Sequence, residues 1–411
     1  METTTAGGYY SVLGELRKRL AEPAPGRIQL LTGPRQVGKT TLLLGIAQEF
    51  GSRALYLAAD TPVAASRGWW ERQWQRAEDL AARHTAVVLL DEIQYLPDWS
   101  RLLKAQVDRV RRLRLPLHVV ATGSAALRLG TDSRETMAGR FERLGLSHWP
   151  ARDLVTAFGL SQERSVQCYV RWGAFPGAVD LQGDLARWRA YVRDSIVEPA
   201  TGRDLVALRA VRRPALLRQV FAIAASHPTE IISLRKLAGA LIERGTLATI
   251  SHYLRLLDDA YLVAGVPKFA KHELRRRASP PKLIPLSNAF LAVASAEEPP
   301  TPERDPERWG RWVENACLAF MVNSGQTVHY WRESPLEVDA IVEGSWGRWA
   351  IEIKTATYTW RDLAGLFEFT RRFRQYRPLV LCRAEDRAIA QHAGAASLAW
   401  GQFLWSGVEG L

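Results

Sequence analysis

Residues 33–41 read Gly-Pro-Arg-Gln-Val-Gly-Lys-Thr-Thr, and their flanks constrain the chain as much as the motif does. Ile28-Gln-Leu-Leu before them predicts a short buried strand, and Leu42 to Phe50 after them an apolar helix. In the order strand, G-x-x-x-x-G-K-T, helix, Gly33 and Gly38 let the backbone curl so that successive N–H groups point inward at phosphate oxygens. The helix N-terminus adds its partial positive charge. A glycine turn that merely opens a helix is the competing reading, and the flanking elements argue against it. Residues Gly33, Pro34, Arg35, Gln36, Val37, Gly38, Lys39, Thr40 and Thr41 are therefore expected to cradle the phosphates of ATP. Lys39 would reach the β- and γ-phosphates and the Thr40 hydroxyl would ligate Mg²⁺.

Three further segments fit such a site. Ala86-Val-Val-Leu-Leu90 is a continuous apolar run, as expected of a central parallel strand covered on both faces, and it ends in Asp91-Glu92. Asp91 at that strand end would hold the Mg²⁺ shell, and Glu92 would polarise the attacking water. Leu117 to Thr122 is another buried strand, ending in Thr122-Gly123-Ser124. A hydroxyl there would reach the γ-phosphate or the water, and Ser124 is preferred over Thr122. Gly139-Arg140-Phe141 precedes a short strand, Arg143 to Leu146. Arg140 reads either as a finger on a neighbouring subunit's nucleotide, which would require a homo-oligomer, or as a surface arginine.

Together these pieces resemble the AAA+ class of P-loop ATPases. More narrowly, they resemble bacterial and archaeal ATPases with the hallmark strings GPRQVGKTT, LLDEIQ, TGS and AGRF, found here at 33–41, 89–94, 122–124 and 138–141. The resemblance covers essentially the whole chain but is specific only over the first 150 residues. It implies a C-terminal domain of unassigned function with a restriction-endonuclease-like core.

The remaining 260 or so residues leave room for further domains. The chain carries 55 basic against 43 acidic residues, a net charge of +12, which favours a polyanionic partner such as DNA. Only eight of the basic residues are lysines, so a general taste for arginine is present too, but it cannot create a surplus over acids. No apolar stretch approaches the roughly 18 residues of a membrane helix. The start METTTAGGYY lacks the basic and apolar parts of a secretory signal. Cys168, Cys317 and Cys382 are scattered without metal or redox spacing, and a reducing cytoplasm is expected.

Residues 151–205 alternate apolar and Arg-rich helical segments and read as a helical lid. Within 206–290, Ser233 caps one helix and Thr246 to Leu257 forms a second. A strand, Tyr261 to Val266, and a loop with Lys268, Lys271, His272, Arg275, Arg276, Arg277 and Lys282 follow. Helix, turn, helix, strand, basic wing is the order of a winged helix, used either on DNA or as a packing module. Arg275, Arg276 and Arg277 are the expected DNA contacts. The Pro/Glu/Ala-rich residues 286–308 read as a linker, and the basic segment Arg101 to Arg114 as a solvated helix face.

In 291–411, Glu314 lies on an amphipathic helix and Asp339 on a strand, and Trp349 to Lys354 form a second strand with Glu352 and Lys354 on one face. A hairpin would set Asp339 beside Glu352 and Lys354. Glu314, Asp339 and Glu352 would then hold a metal, with Lys354 orienting hydroxide, as Mg²⁺-dependent phosphodiester cleavage asks. The arrangement resembles the PD-(D/E)xK nucleases. A fold that grips DNA without cutting, and a hairpin with merely solvated charges, stay open.

The expected fold is α/β: a P-loop parallel-sheet ATPase core (1–150), a helical lid (151–205), a winged helix (206–290) and an α/β restriction-endonuclease-like domain (291–411). The expected function is an ATPase, using ATP and Mg²⁺, whose nucleotide state controls DNA binding or cleavage. The alternatives are an ATP-gated DNA-binding protein with an inactive nuclease fold and a signalling switch acting on a protein partner.

Overall fold

A computed structural model describes residues 4–123, 139–205, 211–243, 245–270 and 279–411. Its contacts divide the chain into two compact units, Met1–Ser147 and His148–Leu411.

The first unit is a six-stranded parallel sheet. Its strands are β1 (Thr4–Gly7), β2 (Ile28–Thr32), β3 (Ala54–Ala58), β4 (Ala86–Asp91), β5 (Leu117–Gly123) and β6 (Phe141–Leu146), in the order β1-β6-β2-β5-β4-β3. Every residue of β2, β4 and β5 is buried, which explains their unbroken apolar runs, whereas the edge strand β3 alternates. Between them run α1 (Tyr9–Leu20), α2 (Lys39–Phe50), α3 (Trp69–Ala81) and α4 (Trp99–Leu113). On one sheet face Trp69, Trp70 and Trp74 of α3 and Leu103, Val107 and Val110 of α4 close the core over Leu57, Val88 and Val119. The i, i+4, i+7 spacing of those α4 residues leaves its arginines outward, as expected of a solvated basic face. Helix α2 packs against β3 and β4.

The second unit opens with α5 (Ala151–Phe158), α6 (Gln162–Trp172) and α7 (Leu185–Val192). Then come α8 (Pro214–Ser226), α9 (Leu234–Ala240) and α10 (Leu247–Asp259), followed by the antiparallel pair β7 (Val263–Val266) and β8 (Lys282–Pro285). Ser233 caps α9 by accepting from the Lys236 N–H at 3.1 Å, and Thr246 caps α10 in the same way through Thr249. The basic residues Lys271, His272 and Arg275–Arg277 lie outside the described residues.

The expected linker 286–308 is instead structured at its start. Ser287 caps α11 (Asn288–Ala294), where Asn288, Ala289, Phe290, Leu291 and Ala292 are buried. Phe290 meets His148, Phe175 and Phe221 edge-on or tilted. Asn288 donates to the carbonyls of Val170 and Trp312 at 2.6 and 2.9 Å. Aromatic burial thus overrides the linker-like composition over 288–292; beyond Ser295 the chain is exposed at 296–298 and buried again at Pro299 and Pro300.

The chain continues through α12 (Pro306–Asn323), capped by Asp305, into β9 (Thr327–Glu333), β10 (Leu336–Gly344) and β11 (Gly347–Ile353), an antiparallel meander. After α13 (Ala364–Arg372) come β12 (Arg377–Cys382), α14 (Arg387–His392), β13 (Ala396–Ala399) and α15 (Trp400–Ser406). Strands β11, β12 and β13 pair in parallel, completing a five-stranded mixed sheet in the order β13-β12-β11-β10-β9. A register shift between Val338 and Ile341 marks a bulge in β10 at Asp339. Bulges re-aim side chains, and this one sits at the residue singled out for metal binding.

Candidate functional site

The first site is built where β2, β4 and β5 end side by side. The loop leaving β2 enters α2 through Gly38, whose φ of 91° is the left-handed region that suits glycine. Gly33 is required for a different reason: a Cβ there would lie 2.0 Å from the Leu146 carbonyl oxygen of β6. Lys39, 6% exposed, lies along the loop and donates to the carbonyls of Gly33 at 3.2 Å and Pro34 at 2.7 Å. At the first turn of α2 the backbone N–H groups have no intrahelical acceptors and give that helix end its partial positive charge.

Asp91, 4% exposed, is the hub. Its Oδ2 accepts the Thr40 hydroxyl at 2.7 Å and the Tyr56 hydroxyl at 2.9 Å, and its Oδ1 accepts the Thr122 hydroxyl. Burial, then the bond to Asp91, raises the Tyr56 pKa. The Glu92 backbone sits in the left-handed region at φ 52°, and its N–H donates to Thr122 Oγ1 at 3.1 Å. The Gln94 amide donates to the Glu92 carboxylate. Thr122 thus ties the metal-binding candidate to the water-activating one. Ser124, the preferred hydroxyl from sequence, lies outside the described residues. Tyr56 was not anticipated, since an aromatic on an alternating edge strand is ordinary core composition.

Thr40 and Asp91 offer adjacent hard oxygen donors, which suits Mg²⁺. Arg140 is held elsewhere: its guanidinium makes a bidentate pair with Asp108 of α4, at 2.7 and 3.2 Å. That hydrogen bond holds the Asp108 carboxyl below its usual range.

The second cluster differs from its expectation. Glu314, Asp339, Glu352 and Lys354 do come together. Asp339 Oδ2 accepts the Ile353 N–H at 2.9 Å, and Lys354 Nζ donates to Glu352 Oε1 at 2.6 Å. Lys282, expected in the basic wing, is not there. It is 2% exposed on β8, and its ammonium lies 3.2 Å from Glu314, 3.4 Å from Asp339 and 3.6 Å from Glu337. Burial lowers its pKa, but the three carboxylates more than reverse this and raise it. Burial also pushes Glu314 and Glu352 upward, with Asp339 adding to both.

A metal ion does not fit here, because an ammonium already faces the oxygens that would bind it. Among the described residues no group of three or more His, Cys, Asp or Glu side chains is set to hold a metal. The available signal for Lys282 was its place in the apolar run Lys-Leu-Ile-Pro, where a solvated lysine would be out of keeping.

Comparisons with known proteins agree with the first site. A family model described as AAA domain matches residues 25–154. Two models, each described as a domain of unknown function, match 163–299 and 309–399. An uncharacterized protein of Mycobacterium tuberculosis is 29% identical over 347 residues, covering 82% of this chain and 72% of that one. The ATPase family gene 2 protein homolog B of Mus musculus is 33% identical over 108 residues, covering 22% of this chain and 14% of its own. Among solved structures, the Thermotoga maritima RuvB Holliday junction branch migration motor is 20% identical with a TM-score of 0.36, covering 63% of this chain and 90% of that one. AMPPCP-bound DnaA from Aquifex aeolicus is 15% identical with a TM-score of 0.32, covering 61% and 87%. Structural likeness of that degree carries no argument about this chain. The family match and the geometry around Lys39, Thr40 and Asp91 together make the first unit an AAA domain of the P-loop ATPase kind.

Proposed function

We propose that the chain hydrolyses ATP in its first unit and that the nucleotide state governs how the second unit engages DNA. The observation that carries the ATPase reading is the 2.7 Å contact between Thr40 Oγ1 and Asp91 Oδ2 beside the Lys39 loop. In this reading the backbone N–H groups of 33–41 and the Lys39 ammonium bind the β- and γ-phosphates. Thr40 and Asp91 hold Mg²⁺, which when bound neutralises charge on the phosphate oxygens. Glu92 orients the attacking water, and Thr122 fixes Asp91 and Glu92 relative to each other. Among the described residues the side-chain donors to Asp91 are neutral hydroxyls, so its negative charge stays available to a cation.

DNA engagement is supported by the excess of 55 basic over 43 acidic residues and by the order α8, α9, α10, β7, β8. That is the order of a winged helix, and Arg275, Arg276 and Arg277 fall in sequence between the two strands of its hairpin. The three cysteines are buried and free of disulfides, in keeping with a reducing cytoplasm. No helix among the described residues is long and apolar enough to cross a membrane.

The test is the ATPase rate with and without single-stranded, duplex and branched DNA at low and moderate salt. Stimulation by one form that fades with salt supports the reading. Ordinary basal hydrolysis, untouched by any DNA, would replace DNA with a protein partner.

A further inference from the structure

We infer that the Lys282 ammonium is the resident cation of the C-terminal carboxylate cluster, standing where a divalent metal would be bound and fastening β8 to α12 and β10.

Three observations carry this. The first is occupancy: one ammonium faces Glu314 of α12 and Glu337 and Asp339 of β10 at 3.2–3.6 Å. Oxygens around a bound metal close to about 2.1 Å for Mg²⁺ and about 2.3–2.6 Å for Ca²⁺. The spacing here is that of an ammonium ion pair.

The second is permanence. The Lys282 backbone is paired on both sides, to Val266 in the β7–β8 ladder and to Ile231 through an isolated bridge. That pairing fixes the direction in which the side chain leaves the strand, and at 2% exposure its stem is enclosed by the fold.

The third is charge. Four carboxylates, Glu314, Glu337, Asp339 and Glu352, converge on two lysines, Lys282 and Lys354. A divalent cation added beside Lys282 would meet a like charge within a few ångströms in a poorly hydrated site. Glu352 is 8% exposed, and its buried Oε2 has no hydrogen-bond partner among the described residues. That orphaned oxygen marks the cluster as one whose acids outnumber its cations, so removing Lys282 should create a real cation site.

The consequence is that the second unit carries these acids with an ammonium in place of a metal, which leaves it without the means for metal-dependent cutting. This inference does not depend on whether DNA is the partner.

The experiment uses the full chain without nucleotide and compares thermal unfolding in EDTA and in millimolar MnCl₂, with Mn²⁺ binding followed by electron paramagnetic resonance. Any gain of the wild-type midpoint in Mn²⁺ should come from Asp91 and vanish in Asp91→Asn, with none of it lost in Asp339→Asn. Lys282→Met should unfold roughly 5–15 °C lower in EDTA, as expected when a buried pair loses one partner. It should recover much of that loss in Mn²⁺ and bind the ion, whereas Lys282→Met with Asp339→Asn should not. Should Lys282→Met fail to fold, Asp339→Asn alone decides: the inference requires equal destabilisation in EDTA and in Mn²⁺. Wild-type stabilisation by Mn²⁺ that Asp339→Asn abolishes would overturn it. So would Mg²⁺- or Mn²⁺-dependent DNA cleavage lost in that variant, or a Lys282→Met protein as stable as wild type and indifferent to Mn²⁺.

Discussion

Two aspartates, Asp91 buried and Asp339 partly buried, end up with opposite company. Asp91 in the first unit accepts three hydroxyls, from Thr40, Tyr56 and Thr122. Asp339 in the second accepts a backbone N–H and faces an ammonium. Hydroxyls satisfy lone pairs without cancelling charge, so Asp91 stays a ligand in waiting for a cation. Lys282 cancels charge outright, so the cluster around Asp339 has no such demand. Whether a carboxylate serves a metal is decided by the charge of its neighbours more than by its burial.

Each side of that contrast can be broken by substitution. The largest effect is expected from Lys39→Ala, which removes the only ammonium on the phosphate loop and should cut ATP turnover about 10²–10³-fold or more in a steady-state assay. Glu92→Gln should lower kcat by a similar order, about 10²-fold, while nucleotide binding measured by fluorescence titration is kept. Equal loss of binding would move Glu92 from water activation to the metal shell. By contrast, Glu352→Gln in the second unit should leave ATP turnover unchanged.

Thr122→Val should reduce kcat about ten-fold, because Asp91 loses one hydroxyl and the Glu92 N–H loses its acceptor. Tyr56→Phe should cost only a few-fold, since Asp91 keeps two hydroxyls. A Tyr56→Phe effect as large as that of Lys39→Ala would show that the hydroxyl shell, and not Mg²⁺, carries the charge of Asp91.

The smallest effect at neutral pH concerns His148, which lies outside both sites and serves as their background. Burial lowers its pKa to about 4, with its bond to the Tyr261 carbonyl opposing. A depressed histidine pKa means that the unfolded chain takes up a proton first. Stability is therefore fully present above about pH 6.5 and falls as the pH drops from there towards 4, by roughly 3 kcal/mol at most from this residue. Denaturant unfolding of His148→Gln should show a flatter profile over that window.

The legible parts of this molecule are local. The phosphate loop is contiguous, and its flanks announce themselves through unbroken apolar runs that can be satisfied only by central parallel strands. The caps Ser233 and Thr246 act within three residues of themselves. Gly33 was legible as a glycine but not for its actual reason, the approach of the Leu146 carbonyl from more than a hundred residues away. The helix at Asn288–Ala294 was hidden for a similar cause, because Phe290 finds its aromatic partners on α8 and near Phe175.

By itself, then, the sequence determined the nucleotide loop, the buried strands that flank it and the candidate group Glu314, Asp339, Glu352 and Lys354 in the C-terminal half. Only the tertiary structure decided that Lys282 meets Glu314, 32 residues on, and Asp339, 57 residues on, instead of lying in a solvated wing. The reason is physical. A lysine in water and a lysine in a carboxylate cluster are the same letter, and their difference is a long-range balance of desolvation against charge pairing that exists only once the strands have met.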